Sequence, residues 1–95
     1  MLAMRDASPV TVRLVYLARL REAFAASGES MAITGGADAT VASVIEHLRQ
    51  RGGAYASELA VGRNYRVAVN HTLVTPGHPV REGDELALFP PVTGG

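Results

Sequence analysis

The chain has 95 residues, with nine basic and nine acidic side chains, no cysteine and 47% apolar residues. That length fits one domain, and that apolar share fits a packed core rather than a disordered polymer. A formal charge of zero with no basic cluster argues against electrostatic binding to nucleic acid or anionic lipid. Without cysteine there is no disulfide frame, thiolate metal site or thiol nucleophile.

All nine basic residues are arginine, so the chain has no side-chain amine to accept an isopeptide bond. The opening MLAMRDASPV lacks the apolar core of a signal peptide. No run approaches the ~20 apolar residues of a membrane helix. The expectation is a cytoplasmic protein with no membrane partner. Residues 1–9 read as a loose arm, residues 10–91 as the folded domain and residues 92–95 as a flexible tail.

Taken in order, Val10–Leu17 is rich in β-branched and apolar residues and predicts a strand. Val12, Leu14 and Tyr16 would face one way, and Arg13, Val15 and Leu17 the other. Good helix formers followed by Gly28 predict a short helix at about Arg19–Ala26. ESMAIT predicts a second strand. Val41, Val44, Ile45 and Leu48 then fall at the i, i+3, i+4, i+7 spacing of one buried helical stripe. Thr40 or Asp38 can cap that helix, and Gly52-Gly53 can stop it. AYASELAVGRN, Ala54–Asn64, reads as a loop with about one helical turn. YRVAVN predicts a third strand, Asn70-His71 a tight turn, HTLV a short fourth strand and ELALFP the last. The sum is an α+β fold, a small mixed sheet covered on one face by one main helix.

Convincing catalytic side chains are missing from this pattern. His47, His71 and His78 lack the spacing of a metal site and read as surface residues. Glu82-Gly83-Asp84-Glu85 reads as a hairpin turn before the final strand rather than a carboxylate pair. The serines lack a base and an orienting group, and no phosphate-binding loop occurs. No metal or bound cofactor is expected.

The end of the chain, LFPPVTGG, is more informative. Gly94-Gly95 can take nearly any backbone angle and fit a narrow channel. Pro90-Pro91 gives a stiff base, and Val92-Thr93-Gly94-Gly95 would reach roughly 13–14 Å when extended. The functional group at the tip is the Gly95 carboxylate, with a reference pKa of about 3.3–3.7. A carboxylate is a poor electrophile until activated, for example as an acyl-adenylate. The glycines are equally compatible with an ordinary frayed end.

The first and last strands are apolar on both faces, whereas one helix covers only one. An antiparallel sheet normally shows water a polar second face. Val15, Leu17, Ala68, Leu73 and Phe89 can therefore form an exposed partner-binding patch beside the tail. Alternatively, the short helix or the Ala54–Gly62 loop covers it.

These features together resemble the ubiquitin-like β-grasp sulfur carriers, and most closely the molybdopterin synthase small-subunit family. VAVNHTLVTPGHPVREGDELALFPPVTGG carries most of the likeness, and FPPVTGG is its most specific part. YLARLRE and TVASVIEHL extend it, so it covers about Val10 to Gly95. The resemblance implies that an activating enzyme of the E1 type spends ATP to adenylate Gly95, which then becomes a thiocarboxylate. The tail would enter the large subunit and give its sulfur to a pyranopterin precursor. Catalytic side chains would come from the large subunit, in a heterotetramer of two small and two large subunits.

By the same resemblance Gly95 bears the sulfur and Gly94 precedes it. Val15, Leu17, Leu73, Phe89, Pro90, Pro91, Val92 and Thr93 would meet the partner. Leu17 and Leu88 stand where aromatics are common in the family, which implies a smaller contact area. Carriers for thiamine, cysteine or tRNA thiolation, and ubiquitin-like protein modifiers, share the fold and the Gly-Gly end.

Overall fold

The computed structural model describes residues 9–91. Five strands form one sheet: β1 (Val10–Tyr16), β2 (Gly28–Ile33), β3 (Arg66–Val69), β4 (Thr72–Val74) and β5 (Glu85–Phe89). Among the described residues three helices accompany them, α1 (Ala18–Phe24), α2 (Val41–Arg49) and α3 (Gly53–Glu58), together with a 3-10 turn at Gly36–Asp38.

The spatial order is β2-β1-β5-β3-β4. β1 and β5 run parallel at the centre, and every other pairing is antiparallel. The last strand is therefore inserted between the first and the third. This corrects the hairpin expected before β5, because β4 pairs with β3 and not with β5.

Alternation in the strands decides the core. Val10, Val12, Leu14 and Tyr16 of β1 join Met31 and Ile33, Val67 and Val69, and Leu86 and Leu88 on one buried face. The predicted α2 stripe of Val41, Val44, Ile45 and Leu48 lies against them. Leu20 and Phe24 of α1, and Leu59 just past α3, complete the same core. All three helices thus sit on one side of the sheet.

α2 starts at a capping box. Thr40 Oγ1 accepts from the Ser43 amide at 3.3 Å, and Ser43 Oγ accepts from the Thr40 amide at 3.2 Å. Thr40 is the cap, not Asp38. This satisfies two amides that lack intrahelical partners. Past α2, Gly52 and Gly53 turn the chain with φ of 78° and 55°, a region that suits glycine.

α1 ends earlier than expected, at Phe24, with Ala25 in the left-handed region. Gly28 is not its stop but the first residue of β2. A Cβ there would lie 2.3 Å from the Leu14 carbonyl oxygen, which explains glycine at this crowded strand position.

The acidic run before β5 fastens backbone. Glu82 accepts from the Thr11 amide at 2.9 Å, and Asp84 Oδ2 accepts from the Arg81 amide at 2.8 Å. Asn70, with φ of 49°, forms the β3–β4 turn with His71 at 73°. Two successive positive φ values suit a two-residue hairpin. Asn70 Nδ2 also donates to Asp84 at 2.9 Å, locking that hairpin to the start of β5.

Candidate functional site

The sheet face opposite the helices is uncovered among the described residues. Its composition follows from strand alternation, and its layout follows from register. Val15 pairs with Ala87, Ala87 with Ala68, and Ala68 with Leu73. These four side chains form an apolar row across β1, β5, β3 and β4. One pleat further on, Phe89 lies opposite Arg66. The Leu17 amide donates to the Leu88 carbonyl at 3.0 Å, which extends the β1–β5 ladder and brings Leu17 beside Phe89.

One pleat in the other direction the face turns polar, with Arg13 in register with Glu85. The apolar strip therefore occupies the end of the sheet from which β5 runs into Pro90-Pro91. Leu17 is 42% exposed and Leu73 60% exposed, while Val15, Phe89, Pro90 and Pro91 are half-buried. The helix α1 and the Ala54–Gly62 segment do not cover this face, since both pack on the other side.

Alternation places Leu88 on the buried face, where it is fully enclosed. Leucine at this position packs the core and takes nothing from the open face, contrary to the smaller contact area expected there. Val92, Thr93, Gly94 and Gly95 lie outside the described residues. Ala87 and Arg66 belong to the strip and its border but were absent from the expected site. The alternation Arg66/Ala68 and Glu85/Ala87/Phe89 carried the signal.

The side chains on this face offer binding rather than proton transfer. His71 lies in the exposed turn, with Nε2 3.7 Å from Glu85 Oε1. No group of three or more metal-ligating side chains occurs among the described residues. No described helix is long and apolar enough to cross a membrane.

Residues 14–95 match the ThiS family. The chain belongs to that family. It is 36% identical over 85 residues to the molybdopterin synthase sulfur carrier subunit of Escherichia coli K12, spanning 88% of this chain and 99% of the relative. The protein of the same name from Haemophilus influenzae is 49% identical over 57 residues, 60% of this chain and 69% of the relative.

Solved structures agree on the fold of this ThiS-family chain. The small archaeal modifier protein 1 of Haloferax volcanii has a TM-score of 0.72 and 26% identity, covering 87% of this chain and 99% of that one. A chain in the complex of subunits 1 and 2 of molybdopterin-converting factor from Helicobacter pylori 26695 has a TM-score of 0.59 and 22% identity. That match covers 90% of this chain and 100% of the other.

Proposed function

We propose that this ThiS-family chain is the small, sulfur-carrying subunit of a molybdopterin synthase. The observation that carries the reading is the apolar strip of Val15, Ala87, Ala68 and Leu73, with Phe89 and Leu17, at the end of the sheet that leads into Pro90-Pro91. A partner bound there would be placed to receive the tail. Both curated relatives are named as sulfur carrier subunits, and the family match runs through to Gly95.

The chemistry belongs to the carboxylate of Gly95. An E1-like adenylating enzyme would join it to the α-phosphate of ATP and release pyrophosphate. Sulfur supplied at the sulfide level would then displace AMP and leave a thiocarboxylate, with one oxygen replaced by sulfur. Inside the large subunit, the thiocarboxylate sulfur would attack the pyranopterin precursor, and water would then cleave the acyl–sulfur bond, leaving the sulfur on the product and regenerating the carboxylate. A dithiolene contains two sulfurs, so two charged carriers are consumed for each product. The chain itself holds no cofactor in this scheme; ATP is bound by the activating enzyme. The setting is the cytoplasm, and the assembly has two small and two large subunits.

The site requires little of this chain's side chains. The open face binds, and the glycines let the tail pass through a narrow channel without steric conflict. Proton transfer falls to the large subunit. Deleting Gly95 is the test. The truncated chain keeps its circular dichroism spectrum and yields no molybdopterin with the large subunit, precursor and charging enzyme. Normal product from it contradicts the proposal.

The likeness to a small archaeal modifier protein supports a second reading, conjugation of Gly95 to lysine amines of other proteins. A ladder of covalent conjugates in host extract, lost on Gly95 deletion, would favour it.

A further inference from the structure

A groove of about 630 Å³ opens at the β4 edge, between that strand, α2 and the segment from Ala60 to Arg66. Ile45, Val61 and Leu73 are among its apolar walls, and Arg49, Arg63 and Arg66 also line it. No aspartate or glutamate does.

The charge around the groove is unbalanced. Glu58 accepts from both Arg19 and Arg63, at 3.0 and 3.1 Å, and Glu46 pairs with Arg49 at 3.3 Å. Arg66 reaches only the Tyr65 carbonyl, at 3.5 Å, and has no ion pair among the described residues. Among the described residues, the three guanidiniums that line the groove and Arg19 beside them thus meet two carboxylates, leaving a surplus of positive charge over an apolar floor. Val61, at the rim, is 86% exposed. Among the described residues β4 has a neighbour on one side only, so its outer edge can accept a further strand.

The groove also joins the open face. Leu73 ends the apolar row, Arg66 stands beside Phe89, and both line the groove. We propose that the groove receives an extended segment of the partner subunit, one that alternates apolar and acidic side chains, so that the partner wraps the β4 edge from the open face to α2. A second copy of this chain is a poorer occupant, because it would bring two positively charged rims together. The inference rests on the reading above that a large subunit takes the tail.

The test is calorimetric titration of the large subunit with the full chain and two variants. Val61→Ser/Arg49→Gln alters the groove alone, and Phe89→Ala alters the open face alone. Circular dichroism establishes that each is folded; Val61 is almost wholly solvated, and the Arg49–Glu46 pair lies on the surface. The groove variant is expected to bind at least tenfold more weakly, with a shallower salt dependence than the wild type. Wild-type affinity in the groove variant, with weakened binding in Phe89→Ala, overturns the groove proposal and leaves the functional reading intact. Failure of the wild type to bind the large subunit removes both. A dimer of the isolated chain, seen by sedimentation and broken by the groove variant, would assign the groove to a second copy and overturn the proposal.

Discussion

Tyr16 donates its hydroxyl hydrogen to Glu29 at 2.6 Å, joining the end of β1 to β2. Arg51 donates to both oxygens of the same carboxylate, each at 2.8 Å. The Phe24 ring stands edge-on to Tyr16 at 4.9 Å and stacks on Tyr55 at 4.3 Å. The Arg51 guanidinium lies over Tyr55, 4.9 Å from the ring centre. One clasp therefore holds β1, β2, α1, α3 and the exit from α2.

The clasp makes acid stability depend on Glu29. Hydrogen bonds from Arg51 hold its carboxyl below the ordinary carboxylate value, against the opposing effect of burial. A depressed folded pKa stabilises fully above the unfolded value, about 4.3, and the stabilisation is lost as pH falls through the folded one. Thermal unfolding from about pH 7 to 3 should show the wild type losing stability below that value. Glu29→Gln should lose less over the same range, from a lower starting point. Identical slopes would remove Glu29 from the acid transition.

Tyr16 acts on the alkaline side. Burial, and then the bond to Glu29, push its phenol upward. A raised folded pKa stabilises fully below the unfolded value, about 10, and that stability is lost as pH rises beyond it toward the folded value. Tyr16→Phe keeps the contact with Phe24 and removes the bond to a charged acceptor, which should cost about 1.5 kcal/mol in denaturant unfolding at neutral pH. The difference between variant and wild type should shrink above about pH 10. A constant difference would mean that the phenol does not titrate with unfolding.

Much of this fold follows from local pattern. The alternation Val12/Leu14/Tyr16 and the stripe Val41/Val44/Ile45/Leu48 place the core before any tertiary contact is known. The same alternation places Val15, Leu17 and Phe89 on the open face. What local pattern does not carry is pairing across distance. The run before β5 reads as a hairpin turn because the insertion of β5 between β1 and β3 leaves no local mark. α3 has no strong apolar stripe, and Tyr55 is held by a stack on Phe24, far away in sequence. Gly28 looks like a helix stop because its constraint comes from the Leu14 carbonyl across the sheet.

That carbonyl makes Gly28 a sensitive position. Gly28→Ala places a methyl 2.3 Å from backbone oxygen, too close without moving β2 away from β1. The expected cost is about 1–3 kcal/mol, the range for overpacking. Chemical denaturation reads it directly, and wild-type stability in the variant would show that β2 yields freely.

Phe89 separates folding from binding. It lies half-buried on the open face, so Phe89→Ala should leave the core of Leu86 and Leu88 in place. Its effect should appear in the complex, as a loss of about 2 kcal/mol or more in large-subunit affinity. Calorimetry with unchanged affinity would move the interface elsewhere.

The central claim is that Gly95 carries sulfur, and the intact mass of the chain tests it most directly. Incubation with the host's adenylating enzyme, ATP and a sulfur source should add the mass of one oxygen-to-sulfur exchange. Fragmentation should place that exchange on Gly95. An unchanged mass, with an enzyme shown to be active on another carrier, would contradict the account.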